Sequence, residues 1–365
     1  MIRNERLTVL FMAKDNQNPY VEILKNSLES IDIDVQDVDW PVLFPLTRTA
    51  IASSDRSVMQ LDWLYRFYIS DGYTGSKFVD DVITIYRATL LLLDLIIVKF
   101  LPITIVWTIH NKYHHEQKYQ RTERIINETL LWVADSTTVK CEEARDIILN
   151  TYRNAQYQDP EIISDGSYIN TYTNTVSKRE ARKDIDVLED EFIYLFFGMV
   201  REYKGIPELI DAFDELSIKD AQLWIVGKPR PEEFGQYLQE LVKGVDGVHL
   251  VFNYVPDDRI QYYLNMADVL VLPYRDILNS GSTHLGMSFG LPIIAPQIGC
   301  IPATVSDDNR KFLYGDGEKA LKRKMEIAYS TGTIELTGRS NFEKASRQEW
   351  VETAKNLVEV YESVL

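Results

Sequence analysis

The fold reading turns on one stretch: Phe192-Ile193-Tyr194-Leu195-Phe196-Phe197-Gly198-Met199-Val200-Arg201-Glu202-Tyr203-Lys204-Gly205. Its six leading apolar residues are too few for a helix and suit a strand buried on both faces. One glycine ends that run, and a second precedes an amphipathic segment over 206–216. Strand, glycine turn and helix form the opening of a Rossmann-type unit. Downstream the alternation continues, with strands expected at 222–226, 248–252, 269–272 and 292–295 and helices at 232–242, 257–266 and 282–289.

Upstream the same pattern recurs. A strand at 7–12 leads through a polar loop to Asn18 and Pro19, an N-cap and first helical residue opening a helix over 20–30. A short strand follows at 33–38, then loop or broken helix over 41–61, a long apolar helix over 78–98 and a β-branched strand at 103–108. A helix at 121–131, a strand at 132–135 and a helix at 138–149 complete this half. Residues 151–180 are polar and without periodicity, which places the interdomain connection there. Alternating strands and helices on both sides predict two Rossmann-like α/β domains. Their limits are read as 1–175 and 176–345, with the amphipathic tail 346–365 crossing back to the first domain. Open parallel sheets bind ligands at the carboxyl ends of their strands, so a cleft between the two domains is the expected binding place.

Composition bounds the function. The chain has 365 residues, 45% of them hydrophobic and 26% charged, as in ordinary globular proteins. Its net charge of −16 disfavours non-specific binding to nucleic acid. Residues 1–180 hold 19 basic and 25 acidic groups against 20 and 30 in the remainder, so no charged tail stands out and any anion site is local. Cys141 and Cys300 have no metal-like or redox-like spacing and fit a reducing compartment. Together with the absence of a signal-peptide core near the start, this gives an expected cytoplasmic address. The apolar run 89–108 is interrupted by Asp94, Lys99 and Pro102 and is read as a buried helix and strand, not a membrane span.

Two loops carry the chemistry. After the strand at 192–197, Arg201 offers a planar fork of donors and Lys204 a compact charge, three residues apart and ahead of a helix N-terminus. That combination suits a nucleoside diphosphate. After the strand at 269–272, Ser280, Gly281, Ser282 and Thr283 open a helix with small side chains and free N–H groups, a cradle for phosphate oxygens. Each loop alone reads as a solvated surface or a plain N-cap; their joint occurrence lifts both.

In order and spacing, Phe197 to Gly205, Leu223 to Gly227, Val251 to Pro256, Ala267 to Tyr274 and Phe289 to Pro292 with Gly299 resemble the C-terminal domain of GT-B glycosyltransferases similar to family 4. Asn18-Pro19-Tyr20, Val106 to Asn111, His114-His115-Glu116 and Ser177 to Arg182 resemble a bacterial and archaeal subgroup of these enzymes. The resemblance implies the GT-B fold and hexosyl transfer from a nucleotide-diphosphate sugar to a hydroxyl, without metal or further cofactor. By it, Arg201 and Lys204 hold the diphosphate, Ser280 to Thr283 meet its far oxygens, and Asn253, Tyr254 and Val255 line the base pocket. His110 faces the donor sugar. The family's paired glutamates, eight positions apart, fall at Ile277 and Leu285, so both carboxylates are absent and Asp276 is the nearest substitute.

For an acceptor base the sequence offers only Asp62 and Asp15, acidic residues in plausible loops. Retention, in which the departing phosphate takes the proton, is therefore the expected course. His114 and His115 are adjacent and project apart, which suits no metal site. A dinucleotide oxidoreductase is disfavoured because no G-x-G-x-x-G follows the first strand. A non-catalytic binding relative, or a nucleotide-sugar epimerase or hydrolase, remains as the alternative. The acceptor is expected to be a glycan or a lipid-linked glycan in polysaccharide or glycolipid synthesis. The aromatics Trp63, Tyr65, Phe67, Tyr68 and Tyr73 read either as a platform for a lipid or a sugar or as a core or local cluster, and peripheral contact with the inner face of the membrane is expected of an enzyme with a lipid-linked acceptor.

Overall fold

A computed structural model describes residues 6–12, 19–38, 43–54, 56–70, 75–114, 118–216, 218–317 and 319–365. Asn18, Asp15, Tyr73, His115 and Glu116, to which the sequence assigned roles, lie outside them. The chain divides into two compact units, Met1–Gly166 with Glu349–Leu365, and Ser167–Gln348.

The first unit is built on a six-stranded sheet whose pairings are all parallel. Its strands are β1 (Thr8–Met12), β2 (Asp34–Asp37), β3 (Ser57–Leu61), β4 (Thr104–Thr108), β5 (Ser136–Val139) and β6 (Glu161–Ile162), in the order β2-β1-β3-β4-β5-β6. The second unit repeats the plan with β7 (Phe192–Phe197), β8 (Ala221–Val226), β9 (Val248–Val251), β10 (Val269–Val271), β11 (Ile293–Pro296) and β12 (Leu313–Tyr314), ordered β12-β11-β10-β7-β8-β9. In this unit the chain runs outward from β7 to β9 and then returns to the other side of β7 with β10. The strand order thus reverses between β7 and β10, where parallel sheets leave a crevice beyond their carboxyl ends. In the core beneath it, Tyr194, Phe196, Leu223, Ile225, Val269 and Val271 are all buried.

The structure corrects several expected elements. The region 41–61 holds helix Pro45–Ala52 and the whole of β3, an interior strand paired to β1 and β4. Its sequence, SVMQL, hid it, because Gln60 interrupts the apolar run; that side chain is fully buried and hydrogen-bonded. Residues 132–135 do not form a strand. Helix Gln120–Val133 runs through them, and the strand is Ser136–Val139, all of it buried despite its three hydroxyls. The stretch 151–180 is not a bare connection, since it supplies β6 and the start of helix Lys178–Ile185, closed by a reciprocal Ser177–Glu180 capping box. The units part at 166/167 and 348/349, not at 175/176 and 345/346. Residues 167–175 belong with the second unit because the Tyr168 N–H donates to Ser288 Oγ at 2.9 Å and the Thr175 N–H to Gln261 Oε1 at 2.9 Å. Neither Cys141 nor Cys300 is a free thiol, which removes their spacing as an argument for a reducing compartment. Among the described residues no helix is long and apolar enough to cross a membrane.

The tail is two helices, Ile334–Ala345 and Trp350–Val364, and the second belongs to the first unit. It packs on helix Pro19–Ser30, Thr353 Oγ1 donates to the Ser164 carbonyl at 3.0 Å, and Tyr361 Oη donates to Gln60 Oε1 at 2.8 Å. Gln60 Nε2 in turn donates to Thr108 Oγ1 at 2.8 Å, which also accepts from Thr138 Oγ1 at 2.9 Å. One chain of bonds thus crosses β3, β4 and β5. Tyr361→Phe leaves a buried amide oxygen unpaired, and we expect it to lower unfolding stability by about 1–3 kcal/mol, read as a lower urea midpoint.

Candidate active site

In the second unit the loops after β7 and β10, on either side of the strand reversal, meet around Lys204. The chain leaves β7 at Gly198 with φ +131°, makes a short 3₁₀ turn over Glu202–Lys204, and enters helix Ile206–Asp214 through Gly205 at φ +67°. Both angles favour glycine, and a side chain at Gly205 would also run into the Pro273 carbonyl. The loops are tied together by the Arg275 N–H, which donates to the Tyr203 carbonyl at 2.9 Å, and by an Arg275–Glu208 ion pair at 2.6 Å.

Lys204 is 7% exposed, and its ammonium lies 5.6 Å from the ring centres of both Phe196 and Tyr274. Among the described residues no carboxylate pairs with it. Burial first, and the nearby Arg201 charge second, hold its pKa down to about 8. Across from it, Ser280 caps helix Gly281–Ser288: its Oγ accepts from the Thr283 N–H at 3.2 Å and lies 3.0 Å from Tyr274 Oη. A Cβ built on Gly198 would stand 3.0 Å from Ser282 Oγ and 3.3 Å from Lys204 Nζ. The bare Cα therefore keeps open a point on which a hydroxyl and an ammonium converge, at distances an anionic oxygen would use.

Of the other residues singled out, Asn253 and Tyr254 are exposed and Val255 half-buried, in the loop past β9. Asp276 is exposed. Ile277 and Leu285, the positions that lack the glutamates, are both 9% exposed. The Ile277 and Leu278 carbonyls lie against Gly299, so the turn holding these positions is fixed by backbone contact.

In the first unit the polar groups also gather where strands end. Asp62 follows β3, His110 follows β4 and Lys140 follows β5. His110 Nε2 is 2.7 Å from Asp62 Oδ1, with side-chain exposures of 6% and 0%. Trp63 stacks on the imidazole at 4.2 Å, and Tyr20 meets its edge at 4.9 Å. Because Asp62 engages Nε2, Nδ1 is the nitrogen left for a substrate; no described residue bonds to it. The sequence offered Asp62 as an acceptor-base candidate only for being an acidic residue in a plausible loop; the structure makes it a fully buried partner of the histidine. Sequence reasoning missed the neighbouring Lys140–Asp165 pair at 2.7 Å, both groups at most 8% exposed, with Lys140 Nζ donating to Tyr20 Oη at 3.2 Å. The available signal was position, since Lys140 directly follows a strand. Of the aromatics read as a lipid or sugar platform or a local cluster, Tyr68 is 2% exposed, Trp63 covers His110, and Tyr65 meets His114 at 4.6 Å, which is the clustered arrangement.

The Lys204 geometry has a measurable consequence without ligand. Between about pH 8 and 10.5 the unfolded chain holds a proton that native Lys204 has released, so stability of the free protein rises with pH through this window. Lys204→Met removes the buried charge and is expected to raise stability at pH 7 by about 3 kcal/mol and to abolish that rise, by denaturant titration at several pH values.

Comparison with known proteins agrees with this geometry. Residues 191–331, which contain both phosphate-type loops, match the family model for glycosyl transferases group 1. The GDP-mannose:glycolipid 4-beta-D-mannosyltransferase of Xanthomonas campestris pv. campestris is 23% identical over 297 residues, 80% of this chain and 74% of that protein. The D-inositol 3-phosphate glycosyltransferase of Corynebacterium efficiens is 24% identical over 269 residues, 69% of this chain and 62% of that one. Among solved structures, sucrose-phosphate synthase from Thermosynechococcus elongatus superposes with a TM-score of 0.73 at 17% identity, covering 98% of this chain and 99% of that one. Anabaena Alr3699/HepE in complex with UDP-glucose superposes with a TM-score of 0.72 at 15% identity, covering 98% and 100%. The doubly repeated parallel sheet, the phosphate-type loops of the second unit and these matches lead to one conclusion: the chain is a glycosyltransferase of the GT-B fold, and its residues 191–331 form a group 1 glycosyltransferase domain.

Proposed function

We propose that the enzyme transfers a hexose from a nucleoside-diphosphate sugar to a hydroxyl of a glycan or lipid-linked glycan. The observation that carries this reading is the convergence of Lys204 Nζ and Ser282 Oγ on the open space at Gly198. A buried ammonium without a carboxylate partner is an unfavourable arrangement until an anion arrives. A diphosphate supplies that anion, and as it departs from the sugar its growing charge is met by Lys204, Arg201 and the start of helix Gly281–Ser288. These cations do the work a divalent metal would do, so the transfer is proposed to be metal-independent. Asn253, Tyr254 and Val255 are assigned to the base and Asp276 to the sugar hydroxyls. The related proteins name both GDP-mannose and UDP-glucose, so a screen of nucleoside diphosphates identifies the donor. Both polysaccharide and glycolipid pathways suit an acceptor of this class.

Lys204→Ala and Arg201→Ala are each expected to weaken nucleoside-diphosphate binding by about 1.5–3 kcal/mol, measured by calorimetry. Wild-type affinity should fall as pH rises past about 8, because free Lys204 then loses the proton that the diphosphate requires. Unchanged binding in both variants would defeat the phosphate assignment.

Retention was expected because the sequence offered no positioned base. The Asp62–His110 pair is a base of the required kind: the carboxylate fixes the imidazole through Nε2, leaving Nδ1 to accept a proton. It favours inversion as a second reading, and the anomeric configuration of the product by proton NMR separates the two. On either course His110→Ala should lower kcat by about 10²-fold or more with nucleoside-diphosphate affinity unchanged. Asp62→Asn should lower it less, and full turnover in His110→Ala would return the histidine to a structural role.

A further inference from the structure

Glu123 stands in the first turn of helix Gln120–Val133 in the first unit and is 2% exposed. Its Oε2 accepts the His114 N–H at 2.8 Å, which fastens the chain that follows β4 and His110. Its Oε1 is buried and has no hydrogen-bond partner among the described residues. Burial pushes the carboxyl's pKa above its ordinary value, against the smaller opposite effect of the His114 bond. A buried acceptor without a donor is costly, so an orphaned oxygen at a cavity points to a group that arrives from outside.

Glu123 lines a cavity of about 40 Å³ together with Trp63, Tyr65, Tyr68, His110 and His114. The walls are largely aromatic, with Trp63 stacked on the His110 imidazole at 4.2 Å and Tyr65 against His114 at 4.6 Å. Neighbouring polar groups are engaged. Asp62 holds His110 at 2.7 Å, and Asn127, one turn beyond Glu123, donates to Tyr152 Oη at 2.9 Å. With Oε2 spent on the His114 N–H, Oε1 is the carboxyl oxygen left for a ligand. Tyr65, Tyr113 and His114 are half-buried and give the cavity a side toward the surface. One water needs about 10–15 Å³ of such space, so the cavity has room for a hydroxyl or hydroxymethyl group and excludes a sugar ring.

We propose that this cavity takes one hydroxyl-bearing substituent of the acceptor sugar, with Glu123 Oε1 as its hydrogen-bond partner, which makes Glu123 a specificity-determining residue. Aromatic walls suit the C–H faces of a hexose, and one polar oxygen among them reads the position of one hydroxyl. A cation is a poorer match. A carboxyl that burial keeps from ionising attracts it weakly, and among the described residues no three acidic, histidine or cysteine groups gather to hold a metal. His110 lines the same cavity, so a sugar anchored here presents a hydroxyl on an adjacent ring carbon beside the imidazole. A site of this kind rejects an analogue lacking the hydroxyl, because the buried oxygen is then left unpaired. The inference deepens the proposed transfer to a glycan hydroxyl and rests on that reading.

The test titrates the full-length chain with methyl glucoside, methyl mannoside and methyl galactoside, and with the monodeoxy forms of each, by saturation-transfer NMR. The expected result is binding of at least one parent hexoside and a loss of about tenfold or more for one of its deoxy forms. This comparison needs no variant. Glu123→Gln keeps the side-chain size and an oxygen for the His114 N–H; in it the gap between that parent and its deoxy form should narrow to about twofold, with circular dichroism unchanged. Absence of hexoside binding, indifference of the wild type to every deoxy form, or a gap that survives in Glu123→Gln would overturn the proposal. Indifference to the deoxy forms would leave the cavity to water. Calorimetry with nucleoside diphosphates on the same samples separates the two readings. Discrimination without nucleoside-diphosphate binding defeats the donor assignment, and nucleoside-diphosphate binding without discrimination defeats this subsite alone.

Discussion

A single ammonium group imposes most of the geometry of the second unit. Lys204 is held in a nearly closed space between Phe196 and Tyr274, with Arg201 adding like charge nearby. Water is largely excluded, so the ordinary solvation of a lysine is lost, and the group releases its proton more readily than a surface lysine would. Everything around it serves to keep the opposite side free. Gly198 contributes no side chain, Gly205 lets the chain turn under the Pro273 carbonyl, and Ser280 spends its hydroxyl on its own helix while Ser282 faces the gap. The free protein is thus arranged for a ligand that completes it electrostatically. In a chain of net charge −16 the proposed anion site depends on local structure that works against the average field.

The first unit uses the same architecture for a different purpose. Its strand ends also collect ionisable groups, but here they are paired: Asp62 with His110, Asp165 with Lys140. Rings of Tyr20 and Trp63 enclose the imidazole, and the Gln60–Thr108–Thr138 bonds lock together the strands that carry these groups. Paired groups of this kind fix orientation, which a proton acceptor needs, whereas the buried ammonium of the second unit provides charge. The segregation extends to the surface. Along helix Lys77–Val98 acids are drawn inward to cap and brace neighbouring elements, and basic and apolar groups are left outside.

The legible parts of the sequence were those in which local pattern and burial coincide. Phe192–Phe197, Leu223–Val226 and Val269–Val271 are continuous apolar runs because both faces of a parallel sheet are covered, and such runs are visible without knowing their neighbours. The strands SVMQL and STTV were not visible. Gln60 and Thr138 are buried with Thr108 of the strand between them as their shared partner, and partners distant in sequence leave no local trace. Arg201, Lys204 and Ser280 to Thr283 could be named from loop chemistry, and the structure brings Lys204 and Ser282 to one point at Gly198.

By itself, then, the sequence determined two series of alternating strands and helices and the loops whose residue types suit a diphosphate, since propensity, glycine placement and apolar runs are local properties. Only the tertiary structure decided the rest. It made Asp62 the buried partner of His110, tied the helix Trp350–Val364 to Gln60 of an interior strand, and buried Tyr68 while leaving the apolar side chains along one side of helix Lys77–Val98 exposed. The physical reason is the same in each case: burial and pairing are fixed by elements 40 to 300 residues apart, such as Gln60 and Tyr361, and no short window of sequence contains both members.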